Sequence, residues 1–147
     1  MSAAAQEALR LLRESRAAGE AELAALRALP SPDEETVCRR IRRFVLARYL
    51  LTEEEAAGLD FDALTARSIA KSAGISPETL AELEATQDCT GSTTAMAKKV
   101  LLLRSIERGL QITLPAMESA SVATLRALGE LVYRTLCAQR GWRNDAV

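Results

Sequence analysis

Residues Gly91 to Leu136 read GSTTAMAKKVLLLRSIERGLQITLPAMESASVATLRALGELVYRTL, and the fold class follows from this stretch. It opens on Ser92, Thr93 and Thr94, whose hydroxyls can accept hydrogen bonds from the free amides of a first helical turn. Met96, Val100, Leu103 and Ile106 then recur at helical spacing, which predicts one buried face. Gly109 suits the left-handed position that ends a helix. A short link, Ile112-Thr113-Leu114-Pro115, follows it. Ser121 or Thr124 then starts a closing helix with Leu125, Leu128, Leu131, Val132 and Leu136 on its apolar side. The pattern predicts an all-α protein of six or seven helices.

The rest of the composition agrees. Hydrophobic residues make up 48% of the 147-residue chain and aromatics only 3%, so the core is built from Leu, Ala, Val and Ile, a mixture that favours helices. Nineteen basic and twenty acidic residues leave a net charge of −1, which gives no global steering toward nucleic acid or an anionic membrane. Histidine is absent, and with it the commonest general base and metal ligand. Cys38, Cys89 and Cys137 are odd in number and widely spaced, so neither a disulfide framework nor a zinc pattern follows. No apolar run reaches membrane-spanning length and no signal-peptide pattern opens the chain. The expectation is a soluble, cytoplasmic protein with no membrane partner.

Outward from the deciding stretch, residues 1–29 read as an N-terminal helical appendage. Leu9, Leu12, Leu23 and Leu26 line one face, and Gly19 is a weak point between two halves. The segment packs on its own domain or recruits a partner. Pro30-Ser31-Pro32 marks a boundary, and residues 33–140 form the bundle. Its first helix has Ser31 as cap, Asp33, Glu34 and Glu35 in the first turn, and Val37, Ile41, Phe44, Val45 and Tyr49 on the apolar face. The other face carries Arg39, Arg40, Arg42, Arg43 and Arg48. Such a row suits phosphates, but the simpler reading is a solvated face paired with acids such as Glu53 to Glu55. Thr52-Glu53-Glu54-Glu55 matches a capping box. Beyond Gly58, the residues Leu59, Phe61 and Leu64 read as a buried tether.

Residues 57–88 form a helical insertion. Within it Ala70, Gly74, Ile75, Leu80 and Leu83 match helix-turn-helix spacing. The would-be recognition helix carries Glu78, Glu82 and Glu84 and no basic residue, while Arg67 and Lys71 lie on the helix before it. Carboxylates facing a polyanion oppose binding, so the shape is expected without nucleic acid as a partner. A DNA-binding regulator is a less favoured alternative, and an enzyme is the weakest reading, since no histidine, no glycine-rich phosphate loop and no clear metal cluster occur. Residues 141–147 are a tail in which Trp142 folds back or marks a contact.

The Gly91–Leu136 layout resembles the second half of an acyl or peptidyl carrier domain. Ile112-Thr113-Leu114-Pro115 resembles that family's loop after the second helix, and Thr124-Leu125 its fourth-helix start. The resemblance implies an acyl-carrier-like helical bundle with Ser92 as the attachment point of a covalent 4'-phosphopantetheine arm. It further implies a phosphopantetheinyl transferase and acyl- or aminoacyl-loading and modifying enzymes as partners, with no catalysis by the chain itself. The family's Asp-Ser-Leu is replaced here by Asp88-Cys89-Thr90-Gly91-Ser92-Thr93, counting back from Pro115 by the family's spacing reaches Met96, and the second helix is basic at Lys98, Lys99, Arg104 and Arg108. These departures define the runner-up, a carrier-like adaptor without an arm. Thr93 and Thr94 are weaker attachment points than Ser92. Cys89 reads as a small buried residue rather than a reactive thiol, and Asp88 as a helix-start or loop acid. Lys98 and Lys99 either dock an acidic partner or the arm's phosphate, or stay solvated.

Overall fold

The computed structural model describes residues 2–73 and 94–141. Among them are seven helices and no strand: α1 Ala3–Ala28, α2 Glu34–Tyr49, α3 Glu53–Ala56, α4 Phe61–Ala73, α5 Thr94–Leu110, α6 Ala116–Ser121 and α7 Leu125–Arg140. The all-α bundle is therefore as expected. Helix α2 is its axis, packed against α1 and α7 and reached by α4, while α5 lies against α1 and α4. The second half of the proposed helix-turn-helix, Cys89, Ser92, Thr93 and Trp142 lie outside the described residues.

Capping residues fix where the helices begin. Asp33, not Ser31, caps α2 by accepting a 2.8 Å bond from the Thr36 amide. An aspartate two residues nearer the helix displaces the serine, and its carboxylate also meets the positive helix end. Thr52 and Glu55 form the expected capping box on α3. Thr124 caps α7 by accepting from the Ala127 amide at 3.0 Å, whereas Ser121 closes α6 with its hydroxyl on the Met117 and Glu118 carbonyls.

Packing corrects three readings of apolar pattern. Helix α1 runs unbroken through Gly19, which is buried because a Cβ there would stand 3.2 Å from the Phe44 ring. Leu23 and Leu26 enter the core, but Leu9 and Leu12 are 37% and 50% exposed. The reason is length: at about 1.5 Å per residue α1 outreaches α2 by roughly 15 Å, so that among the described residues α2 does not cover its first turns. Gly109 does not end α5. The helix runs on to Leu110, and Gln111 takes the left-handed conformation at φ 57°. Gly109 is instead a crossing point, since a Cβ there would come within 2.4 Å of Leu23 Cδ1. On α5 the buried residues are Leu102, Leu103, Ile106 and Leu110, while Met96 and Val100 face outward.

The tightest crossing is between α2 and α7, where a Cβ on Gly129 would fall 2.7 Å from both Cα and Sγ of Cys38. A backbone atom cannot swing aside as a side chain can. Gly129→Ala should therefore lower unfolding free energy by about 1–3 kcal/mol in urea titrations. Gly58→Ala serves as the comparison in which no neighbour is met and only the positive φ of 75° is strained.

Helix α4 closes the C-terminal end of α2 through polar contacts. The Tyr49 hydroxyl pairs with Thr65 Oγ1 at 2.8 Å, and Ser68 Oγ donates to the Tyr49 carbonyl at 2.8 Å. Lys71 donates to the Leu50 carbonyl at 2.6 Å and to Glu55 at 2.9 Å. Burial pushes the Tyr49 phenol up to about 12, the Thr65 bond opposing and Asp62 reinforcing the shift. A raised folded-state pKa gives stability that is present below the ordinary tyrosine value and lost as pH rises through the folded one. Stability should thus fall between about pH 10 and 12, and less steeply in Tyr49→Phe, as followed by denaturant midpoints across that range.

Candidate functional site

The described surface has one apolar-walled groove that secondary structure explains directly. Helix α5 carries more leucine and valine than its buried face can use, and α6 is too short to cover the surplus. The space between α4, α5 and α6 is a groove of about 600 Å³. Met96, Val100, Leu103 and Leu114 supply its apolar walls, with Lys99, Asp62 and Glu107 among its polar ones. Val100 is 44% exposed there, so the groove presents its side chain rather than hiding it.

The lower wall is the Ile112-Thr113-Leu114-Pro115 loop. Ile112 and Leu114 turn inward and Thr113 and Pro115 outward, the two-residue alternation of extended chain. Three helical side chains hold it. Glu107 accepts the Leu114 amide at 2.8 Å. Gln139 accepts the Thr113 amide at 3.0 Å and donates to the Thr113 carbonyl at 2.7 Å. Arg140 donates to the Leu110 carbonyl. These clamps were missed in the sequence because each joins residues with no periodic relation. The only available signal was polarity in Glu107 and Gln139 next to an apolar face.

Lys98 and Lys99 are not simply solvated. Lys99 stands 4.8 Å over the Phe61 ring, 3.2 Å from Asp62 and 3.4 Å from the Val122 carbonyl, with its side chain 14% exposed. Lys98 lies 5.3 Å over the Tyr49 ring, and burial lowers its pKa. Both ammonium groups gain from ring faces while their stems cover apolar surface. At the polar end of the groove, Lys99 offers a positive charge beside an apolar wall.

The arginine row of α2 is divided. Arg42 pairs with Glu53 at 2.8 Å, as the sequence suggests, and this bond lowers the Glu53 pKa. Arg40 pairs with Glu22 on α1 at 2.8 Å, and Arg48 donates to Ser105 at 2.9 Å. Cys38 is buried against α7 with its thiol pKa raised by desolvation, and Cys137 is a second free thiol. Among the described residues no group of three or more His, Cys, Asp or Glu side chains is placed to hold a metal ion, and no helix is long and apolar enough to cross a membrane.

What the groove can do is bind. An apolar wall with a few placed polar groups is the usual make-up of a small-molecule site. Compared with protein-family models, curated proteins and solved structures, the chain matches none. Val100→Glu should cut the fluorescence enhancement of 1-anilinonaphthalene-8-sulfonate several-fold, while unfolding free energy stays within about 0.5 kcal/mol because the position is on the surface. Unchanged dye binding would place the dye elsewhere.

Proposed function

We propose that this protein is a carrier: it holds an acyl or aminoacyl intermediate on a 4'-phosphopantetheine arm at Ser92 and presents it to partner enzymes. The observation that supports the reading is the groove along α5. It begins at Ala95 and Met96, the third and fourth residues after Ser92 in the chain, and continues along Val100 and Leu103. An arm attached just ahead of α5 would have an apolar surface of about 600 Å³ within reach for its chain or cargo. When bound, the arm supplies the thiol that carries the intermediate as a thioester.

The chain's own part is positional. Ser92 needs only an exposed hydroxyl that a phosphopantetheinyl transferase can reach. Met96, Val100, Leu103 and Leu114 shelter apolar cargo, and Lys99 holds a polar group at the groove's end. Tethering raises the local concentration of the intermediate for each loading or modifying enzyme. The order of the last three helices supports the same reading: α5, the clamped loop, the short α6, and α7 capped by Thr124 follow the carrier layout in sequence. On this proposal the protein works in the cytoplasm, with no nucleic acid or membrane as partner and no reaction of its own.

The test is intact mass before and after incubation with coenzyme A and a broad-specificity phosphopantetheinyl transferase. The wild type should gain one arm and Ser92→Ala none. No gain with several transferases would favour the adaptor without an arm, the reading supported by the missing Asp-Ser-Leu.

A further inference from the structure

A second surface, remote in sequence from Ser92, lies between α1, α2 and α5. The first four turns of α1 hold no buried residue, since its buried residues are Gly19, Leu23 and Leu26. Yet Leu9, Leu11 and Leu12 stand there 37%, 48% and 50% exposed. Leu9 and Leu12 border a depression of about 320 Å³ that also reaches Leu50. A second depression of about 520 Å³ continues along α1 to Arg27, and both are bordered by Arg16 and Arg48. Together they make a valley with leucines, beside Arg13, at one end and arginines throughout.

The basic end gathers more positive than negative charge. Arg16, Arg27, Arg48 and Arg108 line it with a single carboxylate, Glu20. None of these four has a carboxylate partner among the described residues, unlike Arg10, Arg40, Arg42, Arg126 and Arg134; Arg13, Arg39, Arg43, Arg67, Arg104 and Arg140 also have none, but they do not share a depression with Arg27 and Arg108. Arg48 and Arg27 are instead held by neutral oxygens, Ser105 Oγ at 2.9 Å and the Gly109 carbonyl at 3.4 Å. Burial is the main cause of a lowered Arg48 pKa; Arg16 and Arg108 add to it as like charges and Glu20 opposes it. Guanidinium groups without a carboxylate partner keep donors that match carboxylates two by two.

We propose that this valley is the docking surface for an acidic amphipathic helix of a partner protein. Its apolar side chains would cover Leu9 and Leu12, and its carboxylates would bind Arg16, Arg27, Arg48 and Arg108. Leu9 to Arg27 extends roughly 27 Å along α1, the length of a helix of about 18 residues. Such a helix uses both halves of the valley, the mode by which amphipathic helices bind grooves. A small polyanion would leave the leucines bare. A second copy of this chain, docked valley to valley, would set the same arginines against each other. The inference is independent of the arm at Ser92.

The test uses the full chain and a fluorescein-labelled helical peptide of about 18 residues, leucine on one face and glutamate beside it, read by anisotropy. Variants Leu9→Ser with Leu12→Ser, and Arg16→Gln with Arg108→Gln, alter exposed positions, and circular dichroism confirms that they fold. Each pair should weaken binding by about tenfold or more, and added salt should weaken it further. Ser92→Ala should bind like wild type, which separates this result from the fate of the carrier reading. Three results would overturn the proposal. One is no binding at low salt. Another is binding that ignores the leucine pair and is displaced by tripolyphosphate, which marks a plain anion site. The third is self-association in sedimentation equilibrium that the leucine pair abolishes.

Discussion

The close approach of α2 to α7 at Cys38 and Gly129 is the constraint on which the bundle depends. A core with few rings cannot fill wide gaps between helices, so the helices themselves must come near. Glycine appears at three of the contacts: Gly129 against Cys38, Gly19 against Phe44 and Gly109 against Leu23. Each removes a Cβ where a neighbouring helix would otherwise be held off. With α2 gripped from both sides, Phe44, Ile41 and Val37 are sealed from solvent and the remaining helices are placed around them.

The two candidate surfaces follow from mismatches of helix length on this frame. Helix α6 is a turn and a half and leaves part of α5 uncovered, which makes the groove beside Lys99. Helix α1 is longer than its support and leaves its first leucines uncovered, which makes the apolar end of the arginine valley. At both places leucine or valine side chains are exposed among the described residues. Exposed apolar groups gathered in this way favour association with something else.

Much of this was legible in the sequence, and the exceptions have a common cause. The helical class, the break at Pro30, the capping box at Thr52 and the Thr124 start rest on local chemistry, and local chemistry reads well. The face of α5 did not, because Met96 and Val100 share a helical stripe with Leu103 and only the reach of α4 and α6 decides which of them is covered. Gly109 and Gly19 were read as breaks, since a glycine that ends a helix and one that admits a neighbour are alike in sequence. The ring contacts of Lys98 and Lys99 are not legible in the sequence, which leaves docking and solvation both open, because Tyr49 and Phe61 belong to other helices. Ser92 rests on the sequence alone, being outside the described residues.

Helices α2 and α5 stop in the same way. Leu50 and Gln111 take left-handed backbone conformations at φ 58° and 57°, although neither is glycine, and such a conformation costs an ordinary residue roughly 1–2 kcal/mol. In both cases the next amide reaches back five residues, Leu51 to the Leu46 carbonyl and Ile112 to the Glu107 carbonyl. In both the terminal carbonyls are taken by distant side chains: Ser68 and Lys71 at one end, Arg140 at the other. The stop signal is therefore written in the tertiary structure. A peptide cut from α2 or α5 alone would have no reason to end its helix there. The loop beside the groove is thus held at its start by Arg140 of α7, and the end of α2 by Ser68 and Lys71 of α4.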